Sequence, residues 1–104
     1  LVKKIVLEIA QFRLRAGVSE KDFLKVSDQL QKDYLVKQKG YVDRELVKRE
    51  DGLWSDVFHW SSMEDAKRVG ENIMTADAAQ NFLKMLDPDS VVVMYFEQVQ
   101  VYGK

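Results

Sequence analysis

Apolar and polar positions alternate with period two in four stretches and with period three to four in three others. The first stretch, residues 2–15 (VKKIVLEIAQFRLR), puts Ile5, Leu7 and Ile9 on one side and Val6, Ala10, Phe12 and Leu14 on the other. That is a strand with both faces apolar, the pattern of a central, doubly covered strand. Ala16-Gly17 interrupts it. Ser19 then offers an N-cap with Asp22 three residues on, and Val18 is placed to staple onto Phe23. Phe23, Val26, Leu30 and Tyr34 continue at helical spacing until Gly40 stops the run.

Residues 41–50 alternate but carry many charges, which suits an edge strand. Asp51-Gly52 marks a hairpin turn, and residues 53–61 (LWSDVFHWS) form the return strand. Two overlapping capping boxes follow, Ser61 with Glu64 and Ser62 with Asp65. They open a helix expected to reach about Met74. Thr75 is placed to cap a further helical piece with Ala78, Ala79, Phe82, Leu83 and Leu86 inward, ended by Asp87-Pro88. Met63, Met74 and Met85 read as core filler. Residues 91–102 (VVVMYFEQVQVY) close the chain as a long strand.

The order β-α-β-β-α-β predicts an α+β, ferredoxin-like fold: a four-stranded antiparallel sheet with the helices on one face, as a single domain over residues 1–104. The second sheet face is the difficulty. Strands 1 and 4 are apolar on both sides, moderated by Glu8, Glu97 and Gln98, and an uncovered face would exceed the apolar patch monomers tolerate. The expected solution is a homodimer through the open sheet face. The alternative is a monomer with a ligand groove, its second face partly polar in three dimensions.

Composition narrows the chemistry. In 104 residues, 46% are hydrophobic and 32% charged, which bounds the chain to one ordinary globular domain. Sixteen basic and seventeen acidic residues give a net charge of −1, without the basic excess of a nucleic-acid surface. Cysteine is absent and histidine occurs once, so disulfides, thiolate chemistry and multi-histidine metal sites are excluded. The longest apolar run, Val91–Phe96, is far below the ~20 residues of a membrane span. No secretory leader pattern opens the chain, which begins on Leu1 rather than Met and leaves its true start open. The default expectation is a cytoplasmic protein with no nucleic-acid or membrane partner.

Candidate chemistry gathers on the third strand. Alternation places Trp54, Asp56, Phe58 and Trp60 on one face and Val57, His59 and Ser61 on the other. His59 is the one side chain whose unperturbed pKa lies near neutrality, so it is a candidate base, or else a strand-end histidine paired across the hairpin. Asp56, flanked by three aromatics, is either a base with a raised pKa or the partner of Arg44 or Arg49. Trp60 is a pocket wall or a core anchor. The hairpin register decides His59's neighbour. A two-residue Asp51-Gly52 turn pairs Arg44 with His59, whereas a three-residue loop with left-handed Gly52 pairs Asp43 with His59 and Arg44 with Phe58.

The segments KGYVDREL, DGLWSDVFHW and SSMEDAKR, with a late helix before the last strand, resemble the dimeric α+β barrel superfamily. Within it the chain is most similar to the antibiotic-biosynthesis-monooxygenase group. The resemblance covers nearly the whole chain and places Trp60 at that group's strand-3 tryptophan. It implies a metal-free, cofactor-free oxygenase acting on a small apolar or aromatic ligand such as a quinol. Three positions depart from the quinone-forming pattern: Asp56 where an Asn is usual, Ala66 where a Tyr is usual, and Gln80 where an Arg is usual. The helix position of the haem-degrading branch's histidine is Gly70, with Asn72 nearby, so haem cleavage is not implied. The expected site therefore comprises Trp60, Asp56 and His59 as catalytic candidates. Its pocket, between sheet and helices, is lined by Phe58, Phe23, Tyr34, Phe82 and Asn72, with no cofactor and no metal. A non-catalytic small-molecule binder or sensor on the same scaffold is the competing reading.

Overall fold

The computed structural model describes residues 4–104. Four strands, β1 (Val6–Phe12), β2 (Tyr41–Lys48), β3 (Trp54–Trp60) and β4 (Val92–Glu97), form one antiparallel sheet in the order β2-β3-β1-β4. Helices α1 (Glu20–Asp33), α2 (Met63–Asn72) and α3 (Asp77–Lys84) cover one face, giving the ferredoxin-like arrangement. Single 3-10 turns at Leu35–Lys37, Ile73–Thr75 and Pro88–Ser90 join the pieces.

β1 is central, as its two apolar faces require, but it is shorter than the expected 2–15. Its first two expected residues lie outside those described. Past Phe12 the pairing dwindles to a bridge between Leu14 and Leu86, flanked by Arg15 N–H donating to the Met85 carbonyl and Asp87 N–H to that of Arg13. β4 is likewise only half of the expected 91–102. As an edge strand it has one partner, and the ladder ends at Val6–Glu97, with a last contact from Gln98 N–H to the Ile5 carbonyl. Val99, Val101 and Tyr102 stand exposed beyond it.

The hairpin takes the three-residue register. Arg49 N–H donates to the Leu53 carbonyl, Gly52 lies at φ +88°, and Asp43 faces His59 while Arg44 faces Phe58. A left-handed position is strained for any residue with a Cβ, so the loop needs its glycine there. Nearer the start of β2 the register shifts between Tyr41 and Asp43, a bulge at Val42 that turns both Tyr41 and Arg44 toward the helices.

Ser19 and Ser62 accept hydrogen bonds from the N–H groups of Asp22 and Asp65, satisfying donors that a helix start leaves free. Of the two capping boxes, Ser62 is the cap; Ser61 Oγ instead donates to the Asp65 carboxylate. Thr75 does not cap α3. Its hydroxyl donates to the Asn72 carbonyl, and Ala76 occupies the N-cap without a side-chain bond. Phe12, Phe23, Trp54 and Phe82 meet at centroid separations of 5.0–5.9 Å and tie β1 and β3 to α1 and α3. Each such buried ring stabilises the fold by about 1.5–3 kcal/mol. Met63 and Met85 pack against this core, whereas Met74, expected there too, is exposed on the turn after α2.

Candidate functional site: an acid-bearing cavity under the helices

Antiparallel pairing lines up inward-facing side chains in rows across all four strands. One row reads Arg44, Phe58, Glu8, Tyr95; the next reads Leu46, Asp56, Ala10, Val93. Ala10 is the smallest side chain in these two rows, and residues of α2, α3 and the turn at Ile73–Thr75 between them face the space above the sheet. The result is a cavity of about 400 Å³ between sheet and helices. Its sheet side is made by Glu8, Ala10, Phe12, Asp56, Phe58, Trp60, Val91, Val93 and Tyr95. Val69, Gly70, Ile73, Phe82, Leu83 and Leu86 close it from the helices, Leu30 and Leu35 complete the wall, and exposed Lys67 and Glu71 mark the rim. Gly70 matters by what it lacks: a Cβ there would come within 3.3 Å of the Tyr95 hydroxyl.

Two carboxyl groups enter this otherwise apolar space. Glu8 Oε1 accepts the indole N–H of Trp60 at 2.9 Å. Burial pushes the Glu8 carboxyl up to about 7; the Trp60 bond pulls it down, and nearby Asp56 pushes it up. Asp56 is almost wholly buried. Its Oδ1 accepts from Arg44 Nε at 2.8 Å, while Oδ2 is a buried oxygen without a hydrogen-bond partner among the described residues. Burial raises the Asp56 pKa, opposed by the Arg44 hydrogen bond and charge. Arg44 is spent elsewhere too: it donates to the Ser27 carbonyl and hydroxyl at 3.3 and 2.7 Å and lies over the Phe58 and Phe82 rings. Tyr95, directly across the ladder from Glu8, has its hydroxyl pKa raised by burial and then by Glu8's charge, so it remains a donor at neutral pH.

The sequence-predicted residues divide accordingly. Trp60, Asp56, Phe58 and Phe82 come together in the cavity wall. Phe58 and Trp60 lie 6.0 Å apart with ring planes only 20° from parallel, a flat apolar surface. Phe23 does not reach the cavity; it is buried in the aromatic core among Phe12, Trp54 and Phe82. Tyr34 is buried but outside the lining, its hydroxyl donating to the Val69 carbonyl. Asn72 is exposed, its amide turned back to the Arg68 carbonyl. His59 stands on the opposite sheet face, its Nδ1 2.6 Å from Asp43 Oδ1, and cannot reach the cavity. Asp56 has Arg44, not Arg49, as its partner; Arg49 binds Asp51 at the hairpin tip.

Glu8 is the residue sequence reasoning misplaced. It moderates not the open face but the covered one, in phase with Val6, Ala10 and Phe12. The signal was present: a lone carboxylate in the covered-face register of the central strand. Among the described residues no three histidine, aspartate or glutamate side chains converge as a metal site, and no helix is long and apolar enough to cross a membrane.

No protein-family model and no curated protein matches the chain. Solved structures share its fold across almost its whole length. SnoaB, a cofactor-independent oxygenase from Streptomyces nogalater, superposes with a TM-score of 0.77 at 14% identity, covering 97% of this chain and 99% of that one. A candidate antibiotic biosynthesis monooxygenase from Caulobacter crescentus gives 0.70 at 15% identity, covering 95% and 93%. A dimeric ferredoxin-like protein from an uncultured marine organism gives 0.71 at 16%, covering 97% and 93%. The likeness establishes the ferredoxin-like fold.

Proposed function

We propose that the protein is a cofactor-independent oxygenase acting on a small phenolic or quinol substrate bound in the cavity. One observation carries this reading: a carboxyl with a pKa of about 7, Glu8, set into an apolar cavity walled by Trp60 and Phe58. A general base works best when its pKa lies near the working pH. Glu8 takes the substrate's hydroxyl proton. The phenolate, held against the flat aromatic wall, passes one electron to dioxygen. The phenoxyl radical and superoxide combine through a new C–O bond at a ring carbon. The O–O bond then breaks, that carbon loses its hydrogen as a proton, and water leaves a quinone carbonyl. All four electrons come from the substrate, so no external reductant is needed. The protein contributes orientation, proton transfer and exclusion of water.

The test is oxygen uptake with a panel of naphthols and hydroquinones. Wild-type kcat/KM should rise with pH through a midpoint near 7, and Glu8→Gln should lower it by about 100-fold or more. Absence of uptake, or uptake unchanged by both Glu8→Gln and Trp60→Phe, defeats the oxygenase reading. The binding or sensing alternative has its own support. Ala66 is buried without a polar group, Gln80 donates to the Met74 carbonyl away from the cavity, and Arg44 already engages Asp56. That reading predicts ligand binding without oxygen consumption.

A second copy of the chain is the proposed cover for the open sheet face. Val92 and Phe96 there are about half exposed, beside the outward-facing Leu7, Ile9 and Met94. The dimeric state of the ferredoxin-like protein of similar fold supports this assignment.

A further inference from the structure

We propose that Tyr95 and Gly70 form the entrance filter of the cavity: the Tyr95 ring stands across the mouth between β4 and α2, and the room it leaves decides which rings pass. The inference rests on the cavity being the ligand site, which the oxygenase and binding readings share, and adds the route by which a ligand reaches it.

The lining residues locate the mouth. Most are buried or half-buried. Every exposed one lies on the second half of α2 (Lys67, Gly70, Glu71) or at the start of β4 (Val91, Val93). Val91 and Val93 are 38% and 44% exposed although they border the cavity, and β4 is an edge strand with no described strand beyond it. Lys67 and Glu71 stand about one helical turn apart with opposite charges. Their charges offset at the rim, so width rather than charge is left to select what passes.

Tyr95 spans this opening. It pairs with Glu8 across the ladder, and its hydroxyl reaches α2, 3.3 Å from where a Cβ on Gly70 would lie. The ring thus bridges sheet and helix on the side where the cavity meets solvent. Packing alone holds it there. The Tyr34 hydroxyl donates to the Val69 carbonyl and the Tyr41 hydroxyl to Gln31 Oε1, whereas the Tyr95 hydroxyl has no hydrogen-bond partner among the described residues. A half-buried ring on an edge strand can swing to another staggered rotamer without breaking a bond.

Gly70 fits this use. It is not one of the left-handed glycines, which are Gly17, Gly40 and Gly52, so its backbone makes no demand for glycine. A helix interior favours alanine over glycine, and Gly70 lies inside α2. What the position provides is room for the Tyr95 hydroxyl. A larger side chain there would meet the ring and fill the mouth.

Acrylamide quenching of Trp60 fluorescence measures traffic through the mouth without any ligand. Trp60 is 1% exposed and lines the cavity, whereas Trp54 lies outside the lining and adds a constant background. Tyr95→Ala should raise the quenching rate constant about fivefold or more, and Gly70→Leu should lower it by a similar factor. The double variant should return to the wild-type rate, because leucine occupies the space the ring gives up. Unchanged quenching in either single variant, once folded, overturns the proposal. So does a Gly70→Leu loss that Tyr95→Ala does not restore. Stopped-flow binding under nitrogen tests selection in the wild-type chain itself. The two-ring probe 1-naphthol should enter at least about tenfold faster than the three-ring 9-phenanthrol, and Tyr95→Ala should bring that ratio below about threefold. A wild-type ratio below tenfold overturns the filter whether or not any variant folds. If neither probe binds, the phenolic reading of the cavity is lost and the quenching results alone decide the entrance. A chain that passes these tests yet never consumes oxygen loses the oxygenase reading and keeps its entrance.

Discussion

At the scale of single residues, Glu8 has the largest consequences. Its carboxyl titrates at about 7 in the folded protein against 4.5 when unperturbed. Between those values the folded state holds a proton that the unfolded chain has released, so stability falls as pH rises through this window. The size is about 3 kcal/mol. Glu8→Gln should therefore stabilise the protein by that order at pH 8 and by little at pH 4, as urea unfolding at the two pH values will show. If the gap between wild type and variant is the same at both, the raised pKa is wrong. The Trp60 indole supplies the bond that holds Glu8 down, so Trp60→Phe should move the Glu8 midpoint further above 7. Carboxyl carbon chemical shifts followed through a pH titration measure this directly. Alternation alone brought Trp60, Phe58 and Asp56 to one face. Helical spacing could not tell which aromatics border a void and which fill the core: Phe23 on α1 and Phe82 on α3 are both buried at inward positions and touch each other, yet only Phe82 lines the cavity.

Among the elements, helix starts were readable because a cap is a local event. Ser62→Ala should cost about 1 kcal/mol, read as a lower urea midpoint with unchanged slope. Gly40 joins two elements. It sits at φ +89°, and a Cβ there would overlap the Asp65 carboxylate. That carboxylate is fixed by Arg68 and by Ser61, which together hold its pKa down to about 2. Gly40→Ala should therefore cost more than about 2 kcal/mol, left-handed strain alone accounting for 1–2 of it. A loss below 1 kcal/mol would mean the α2 start yields easily. Strand ends were less legible. β4 carries its apolar alternation to Val101, yet pairing stops at Glu97, because a ladder needs a partner and alternation records only which side a residue would face.

For the molecule as a whole, element order and the hydrophobic period led to the ferredoxin-like sheet without ambiguity, since βαββαβ with helices on one face has few compact solutions. What covers the other face belongs to the proposed dimer. Sedimentation at micromolar concentration should give twice the chain mass, and Phe96→Glu on the open face should shift it toward the single chain. A monomer before mutation would contradict the account of the two-faced strands. Because Val42 is an extra residue in β2, the inward frame is odd-numbered at Tyr41 and even-numbered from Arg44 onward. A gapless alignment through this strand to an unbulged relative therefore matches cavity-side residues with solvent-side ones on one flank of Val42. A single gap at Val42 restores the match of facing sides.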